Sequence, residues 1–456
     1  MFRLPIEFCP SEFWFHPSYF ILTGFPVSPH QAFLSMPKVV VTGLGFICPI
    51  GNDQATVVNS LRGQRHGLTA YSRFEGPNIP VRVAGLVKDF ETESPDPEDW
   101  KYPAQYKIKR ETLRGFAPHV LFGYCALTQA IADAKLKPED VSNLDTGMFT
   151  ASAGSAMMLH HNLSRMEKHG VMKCSPLGIV ASVVGTLSYN LVAAFKILGS
   201  SCGFASACAS SGHALGFAWE EVASGRQKRM LVVGGEDGNL ETILPFAGMR
   251  ALSLNPDPNT ASRPFDVARD GFVGAGGACA MVLETDEEAF KRGAPVYCEM
   301  PGWGMASDGY NVAISHPDGS GLIQAMRVAL RRSGLEPGEV DYINAHATST
   351  PIGDTSELRA LKAVFGTNHI DTPAISSTKA LTGHGLSLAS ILEAGFCAAA
   401  IKHGFMPGSA HIQNLDPEAA GLDIIRETVN ERPHVVMSNS SGFGGANVAL
   451  VFKSAT

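Results

Sequence analysis

Three residues carry side chains that could together perform nucleophilic catalysis. Cys208 lies in SACASSGHALG, residues 206–216, just before a segment of helical composition. The positive end of a helix dipole favours the thiolate, which is the reactive form of cysteine, whereas burial among apolar groups disfavours it. Most cysteines pack as small apolar side chains, so the position of Cys208 alone leaves a catalytic and a structural role equally open.

Two histidines favour the catalytic interpretation. His346 follows a predicted strand in NAHATSTP, and His384 lies at the predicted start of a helix in STKALTGHGLS. Both could project toward the crevice that holds Cys208. A single histidine is more often a hydrogen-bonded polar residue than a catalyst, so the prediction depends on all three meeting. The loop NSSGFGGAN, residues 439–447, either brings backbone N–H groups to a substrate oxygen or connects two strands tightly.

The motif around Cys208 recurs later in the chain. SACASSGHALG is repeated in register by STKALTGHGLS, residues 377–387, with Lys379 at the position of Cys208. Two further matches occur in the same order: VTGLGF at 41–46 with MPGWGM at 300–305, and GGACAMVLE at 276–284 with GGANVALVF at 444–452. Ordered repeats predict a duplication, with halves at residues 36–294 and 295–456.

Alternating strand and helix patterns predict an α/β fold. Short β-branched or apolar runs predict strands at residues 39–41, 230–233, 280–283, 342–344, 435–437 and 448–452. Helical length and composition occur at residues 118–134, 210–224, 355–364 and 386–402. Asp354 and Glu357 have capping-box spacing, which predicts that they start a helix.

Composition excludes several classes of protein. The chain has 456 residues, 45% of them hydrophobic and 17% charged, with a formal net charge of -7. This charge offers no electrostatic case for binding nucleic acid or an anionic membrane. No apolar run approaches the ~18 residues of a membrane-spanning helix, and the nine cysteines lack CxxC pairs, so we expect a soluble protein of the reducing cytosol. Residues 1–35 resemble no signal peptide and are expected to be a dispensable extension of unclear role.

The ordered motifs resemble those of the β-ketoacyl-acyl-carrier-protein synthases, condensing enzymes of the thiolase superfamily, over residues 38–453. The stretches that carry the resemblance are VTGLGFICPIG, SACASSGHALG, SRPFDVARDGFVGAGG, NAHATSTPIGD, SSTKALTGHG and MSNSSGFGGANVALVF. The resemblance is closest to the type that elongates chains on discrete carrier proteins. It implies two duplicated halves in a layered αβαβα fold, a homodimer, and an acyl carrier protein that brings its own phosphopantetheine. No redox cofactor is required.

By this resemblance, Cys208 holds the acyl chain as a thioester, and His346 and His384 bind the malonyl carbonyl as it becomes an enolate. The backbone N–H groups of Cys208 and Phe443 form the oxyanion hole. Lys379 orients groups around His384 and Glu393 and balances charge, and Glu393 gives structural and charge support.

The resemblance also assigns substrate-binding residues. Thr348 and Thr350 contact the phosphopantetheine arm, and Phe443 is an aromatic gate beside the cysteine. Gly154 and Ser155 form a wall of the acyl pocket, whose small side chains leave room for medium or long chains. A structural monovalent cation could be held by Asn344, Glu393, Ser438 and Asn439. The chain departs from the family pattern at Ala347, Ser387, Leu388, Ser390 and Ser441.

Other functions fit less well. A degradative thiolase normally carries a second cysteine in the C-terminal glycine-rich loop, and NSSGFGGAN has none. A non-elongating chain-length partner subunit usually lacks the nucleophile that Cys208 provides. In a nucleotide-binding GxGxxG motif, Gly43 and Gly45 would be followed by a third glycine, but Cys48 stands there. A condensing enzyme of a polyketide or other specialised lipid pathway stays open as an alternative to fatty-acid elongation.

Overall fold

The computed structural model describes residues 37–369 and 372–455, so the predicted extension at 1–35 lies outside the described residues. The strands are β1 Val39–Ile47, β2 Leu68–Ala70, β3 Val83–Gly85, β4 Thr146–Ala151, β5 Ser201–Phe204, β6 Arg229–Glu236, β7 Gly277–Thr285, β8 Cys298–Ser307, β9 Tyr342–Asn344, β10 Ala374–Ser376, β11 Asp423–Ile424, β12 Val435–Gly442 and β13 Ala446–Lys453.

The α-helices are α1 Gln54–Arg62, α2 Arg110–Leu113, α3 Pro118–Asp133, α4 Pro138–Val141, α5 Ala156–His169, α6 Gly178–Ser182, α7 Thr186–Phe195, α8 Ser210–Ala223, α9 Leu240–Ile243, α10 Asp286–Lys291, α11 Ser320–Ser333, α12 Pro351–Phe365, α13 Lys379–Thr382 and α14 Ala389–His403.

The order of the strands repeats itself on either side of the molecule. The large sheet runs β11-β10-β9-β12-β13-β8-β1-β7-β6-β4-β5. In the first series, β5, β4 and β6 pair in parallel, β7 pairs antiparallel with β6, and β1 pairs antiparallel with β7. The second series has the same pattern: β10, β9 and β12 pair in parallel, β13 pairs antiparallel with β12, and β8 pairs antiparallel with β13. The two series meet through two residue pairs, Val40 with Glu299 and Val41 with Cys298. The repeated sequence stretches fall on equivalent strands, β1 with β8 and β7 with β13.

Three hydrophobic cores separate five layers. Along β7, Cys279, Met281 and Leu283 face the central core, while the alternating residues 278, 280 and 282 face an outer core under α3. Helices α11 and α12 cover the outer face of the second series, and α8 and α14 lie between the two series. The predicted αβαβα arrangement is confirmed.

The central helix α14 is mostly apolar because it is enclosed, with Ser390 and Glu393 as its buried polar residues. Together with the turn Leu386–Leu388 it is long and apolar enough to cross a membrane, yet most of its residues are buried between the two strand series. A mostly apolar helix in such surroundings is the core helix of a layered fold.

The predicted elements agree with the structure except at one helix start. All six predicted strands lie within β1, β6, β7, β9, β12 and β13, and the helices near 118–134, 210–224 and 386–402 are confirmed within a few residues. The helix predicted at 355–364 begins at Pro351, because the fixed φ of proline suits the first helical position. The prediction that Asp354 and Glu357 start this helix is therefore wrong: both lie inside it and are buried.

Candidate active site

Cys208 lies on a tight turn between β5 and α8. Ala207 has φ +51°, a left-handed conformation that is uncommon for a residue other than glycine. The loop NSSGFGGAN contacts this turn through Gly442. A Cβ atom on Gly442 would lie 2.8 Å from the carbonyl oxygen of Ser206 and 3.0 Å from the backbone nitrogen of Cys208. Glycine therefore allows the loop backbone to approach the nucleophile.

The two predicted histidines meet at the cysteine. His346 follows β9, and His384 lies between α13 and the turn Leu386–Leu388. Nε2 of His384 is 3.1 Å from Sγ of Cys208, which is hydrogen-bonding distance for sulfur. The His346 and His384 ring centroids are 5.3 Å apart, with an interplanar angle of 83°. The structure thus brings all three residues together, although they come from separate segments.

Glu357 positions the backbone at His346, a role that our sequence reasoning missed. Its carboxylate accepts hydrogen bonds from the backbone N–H groups of His346, at 2.9 Å, and Ala347, at 2.7 Å. Burial raises the pKa of Glu357 to about 7, although these two N–H groups favour the ionised form. The only sequence signal for this role was the presence of two acidic residues, Asp354 and Glu357, and their spacing was interpreted as a capping box at a helix start.

Burial controls the ionisation of the three central residues. It raises the pKa of the Cys208 thiol to about 12, against the opposing charge of Lys379. Helix α8 begins two residues after Cys208, so its dipole favours the thiolate while burial opposes it. Burial, and next the charge of Lys379, hold the pKa values of His346 and His384 well below the usual range, so both rings are neutral.

Lys379 is buried and its ammonium group donates a hydrogen bond to Glu393. Burial raises the pKa of Glu393 to about 7, and the charge of Lys379 opposes this rise. Lys379 affects the histidines through its charge, since it lowers both of their pKa values.

A cavity of about 600 Å³ opens onto the nucleophile. The hydroxyl oxygens of Thr348 and Thr350 lie 3.0 Å apart on its wall. Phe443 is 38% exposed, and its ring centroid lies 6.0 Å from that of Phe246. Six of the predicted site residues line this cavity: Cys208, His346, Thr348, Thr350, His384 and Phe443.

Comparison with known proteins agrees with this geometry. The family model described as "Beta-ketoacyl synthase, N-terminal domain" matches residues 36–289, and the model described as "Beta-ketoacyl synthase, C-terminal domain" matches residues 297–413. The chain belongs to the β-ketoacyl synthase family. The 3-oxoacyl-[acyl-carrier-protein] synthase 1 of Escherichia coli K12 is 37% identical over 423 residues, which cover 92% of this chain and 99% of that synthase. The 3-oxoacyl-[acyl-carrier-protein] synthase 2 of Synechocystis is 37% identical over 431 residues, covering 93% and 99%.

Solved β-ketoacyl synthase structures share the fold. A β-ketoacyl synthase from Burkholderia phymatum aligns with a TM-score of 0.84 and 30% identity, covering 92% of this chain and all of that one. A ketosynthase/chain length factor described for ishigamide aligns with a TM-score of 0.82 and 27% identity over 92% of this chain and all of that one.

Two residues predicted to line the acyl pocket of this β-ketoacyl synthase have other contacts. Gly154 and Ser155 are absent from the lining of the described cavity. The Ser155 hydroxyl donates a hydrogen bond of 2.5 Å to Asp237 and accepts one from the backbone N–H of Met158, which caps α5. Capping and a buried hydrogen bond thus give the small side chain at 155 a structural role, and its contact with a substrate stays a prediction.

Three of the four residues predicted to hold a cation lie around one side chain: Asn344 and Ser438 hydrogen bond with the thiol of Cys397, and Glu393 interacts with it electrostatically. Ser438 contacts Cys397, whereas the Asn439 amide leaves the opposite face of β12 and donates to the sulfur of Met326. The amide of Asn344 hydrogen bonds with Thr378. Oε2 of Glu393 is buried without a hydrogen-bond partner among the described residues, and a bound cation stays a prediction.

Proposed function

We propose that the protein is a β-ketoacyl-acyl-carrier-protein synthase that elongates fatty acyl chains by decarboxylative Claisen condensation. The observation that carries this proposal is the 3.1 Å contact between Sγ of Cys208 and Nε2 of His384, with His346 beside it in one cavity. Family membership supports the same reaction.

The first half-reaction moves the acyl group from one carrier protein to the enzyme. As Sγ of Cys208 attacks the thioester carbon, its proton passes to Nε2 of His384. The bond between the acyl carbon and the pantetheine sulfur breaks, and the departing thiolate takes the proton from His384. Because the resting thiol is protonated, a base at hydrogen-bonding distance is needed, and the neutral His384 ring meets that need.

The second half-reaction forms the new carbon–carbon bond. The carboxylate of malonyl-carrier protein leaves as carbon dioxide, and its electron pair forms an enolate whose oxygen accepts N–H bonds from His346 and from His384, whose neutral ring carries its proton on Nε2 in this step. The enolate carbon bonds to the acyl carbonyl carbon, the bond to Cys208 breaks, and the thiolate recovers a proton from water. The product is a β-ketoacyl-carrier protein, and the reaction balances without a redox cofactor.

The backbone N–H groups of Cys208 and Phe443 stabilise the tetrahedral oxyanion in this mechanism. The close approach of Gly442 to the backbone nitrogen of Cys208 supports this assignment, because Phe443 follows Gly442 directly. Lys379 supplies a fixed positive charge that keeps the histidines neutral and compensates Glu393.

The acyl carrier protein is the proposed partner, and it brings phosphopantetheine into the cavity past Phe443 to Thr348 and Thr350. A solved structure of a type II polyketide synthase acyl-carrier protein in complex with its ketosynthase, 25% identical with a TM-score of 0.82, supports this partner. It covers 92% of this chain and all of that one.

A cytoplasmic homodimer is the proposed assembly. Strand β5 ends the large sheet, and its residues 201–203 are exposed. Apolar side chains beside this edge are also exposed: Val184 at 51% and Tyr189 at 54% flank Gly185, whose backbone packs against Gly203. An unpaired strand beside exposed apolar groups favours pairing with a second copy. Sedimentation velocity tests this proposal: a monomer at micromolar concentration contradicts it.

The proposed division of labour is tested by separating the half-reactions. We expect His346→Ala to slow elongation with malonyl-carrier protein much more than acylation of Cys208. Equal loss of both half-reactions would contradict the role of His346 in decarboxylation. Mass spectrometry of products from an acyl-carrier series distinguishes fatty-acid elongation from polyketide or specialised-lipid chemistry: one β-keto extension per acyl-carrier substrate supports the first, and repeated unreduced extension supports the second.

A further inference from the structure

Hydroxyl groups join the two halves of the molecule next to the Cys208–His384 contact. Cys208 belongs to the first half and His384 to the second, so no single element fixes the distance between their reactive atoms. Ser387 and Ser390, which depart from the family pattern, lie three and six residues after His384. Both are buried, with exposed fractions of 3% and 1%.

Each of these serines bonds to the first half. The Ser390 hydroxyl donates to the carbonyl oxygen of Cys208 itself, at 3.1 Å. The Ser387 hydroxyl donates to the carboxylate of Glu236, at 2.5 Å, at the end of β6. A third bond also has its donor in the second half: the backbone N–H of Ile391 donates to the hydroxyl of Ser211 at 3.1 Å.

The Ser211 bond also completes the start of α14. The first N–H groups of a helix have no partner within the helix and are usually satisfied by a capping side chain. Leu388, the residue before α14, provides no side-chain hydrogen bond. The hydroxyl of Ser211 on α8 therefore caps a helix of the opposite half.

The far end of the Ser387 bond is held firmly. Glu236 is fully buried and interacts electrostatically with His119 and Asp237. Asp237 accepts hydrogen bonds from the ring and the backbone N–H of His119, at 2.6 and 3.0 Å, and from Ser155. Glu236 is the last residue of β6 and its backbone pairs with Gly277 of β7, so the strand holds this end of the bond, while Oε1 of its carboxylate has no hydrogen-bond partner among the described residues.

We propose that Ser387 and Ser390 are positioning residues that set the distance between Sγ of Cys208 and Nε2 of His384 across the boundary of the two halves. This inference rests on the proposed function, in which His384 takes the thiol proton. A base must lie within hydrogen-bonding reach of the proton it accepts, and a misplacement of about 1 Å can slow a reaction by ~10²-fold.

The test is single-turnover acylation of Cys208 by acyl-carrier protein in the full-length protein, with Ser387→Ala, Ser390→Ala and the double variant. We expect the double variant to lower the acylation rate constant at pH 7 by about 10- to 100-fold while KM for the acyl-carrier protein stays unchanged. Ser387→Thr retains the hydroxyl, so we expect its acylation rate constant to be much closer to that of the wild type than that of Ser387→Ala.

The pH profile separates positioning from general damage. A displaced His384 no longer removes the proton, but alkaline solvent can, so the deficit of the double variant should shrink between pH 7 and pH 10. Thr285→Ala is the matched control, because it removes the cap of α10 far from the site and so lowers thermal stability while leaving acylation unchanged.

Three results would overturn the inference: a wild-type rate in the double variant, a rise in KM without a change in rate constant, or a deficit that is equal at all pH values. In each of these cases the wild-type protein still acylates Cys208 and condenses, so the proposed function stands. A wild-type protein that accepts no acyl group from the carrier overturns both proposals.

Discussion

Substituting Gly442 by alanine tests how closely the C-terminal loop must approach the nucleophile. The backbone of Gly442 is extended, with φ -121° and ψ 165°, so alanine is compatible with its conformation and the effect is purely steric. The added Cβ would lie 2.8 Å from the oxygen of Ser206, 3.0 Å from the nitrogen of Cys208 and 3.1 Å from the nitrogen of Ala209. These atoms are backbone, so they cannot rotate away.

The size of the effect follows from this contact. Restoring ordinary van der Waals distance requires the loop to retreat by roughly 0.6 Å, which withdraws the N–H of Phe443 from the proposed oxyanion. Loss of one oxyanion donor costs ~2.7–4 kcal/mol in the transition state, or about 10²- to 10³-fold in rate. We therefore expect Gly442→Ala to reduce Cys208 acylation and condensation by this factor.

Single-turnover acylation with labelled acyl-carrier protein measures the loss, and Gly338→Ala is the control. A Cβ on Gly338 would meet no atom within 4 Å, and its φ is not in the left-handed region, so this variant should keep the wild-type rate. A wild-type acylation rate in Gly442→Ala would refute the argument that this loop completes the oxyanion hole.

Four further predictions follow from the buried charges and hydrogen bonds. Glu357→Ala leaves two buried N–H groups without an acceptor, so urea denaturation should give a free energy of unfolding lower by about 2–6 kcal/mol; an unchanged midpoint contradicts this. Alkylation of Cys208 by iodoacetamide should rise roughly tenfold per pH unit between pH 7 and 9, because burial raises the thiol pKa to about 12, whereas a plateau near pH 7 would disagree. Lys379→Met strands the buried carboxylate of Glu393 and should cost about 3–5 kcal/mol of stability at pH 8. The loss of stability should be smaller at pH 6, because the Glu393 carboxyl has a pKa of about 7 in the folded protein and is protonated below that pH. A larger loss at pH 6 would contradict the pairing of Lys379 with an ionised Glu393. Ser155→Ala removes a helix cap and should cost about 1 kcal/mol in thermal unfolding, while an altered acyl chain-length profile would show that Ser155 contacts the substrate after all.

Local patterns predicted the elements and the meeting of the catalytic residues well, because these depend on short stretches of chain. Strands such as β7 are buried on both faces and read as continuous apolar runs, and the duplicated motifs place equivalent loops at equivalent strand ends. His346 and His384 could be predicted for this reason, since each lies in a motif that follows a strand.

The features that depend on tertiary contacts could not be predicted. The partners of Glu357 come from the loop before its own helix, and capping-box spacing offered a simpler local explanation. The bond from Ser387 to Glu236 joins residues 151 positions apart, for which sequence gives no signal. The raised pKa of the Cys208 thiol depends on how deeply the fold buries it, which the position of Cys208 before a helix does not show.

The most direct test of the account is to find where the acyl group is held. The protein is incubated with labelled acyl-carrier protein without malonyl-carrier protein, quenched in acid, digested and analysed by peptide mass spectrometry. We expect one thioester, on the peptide that contains Cys208. This thioester should disappear when malonyl-carrier protein is added, and it should be absent from Cys208→Ala. Label on another cysteine, or condensation by Cys208→Ala at the wild-type rate, would contradict it.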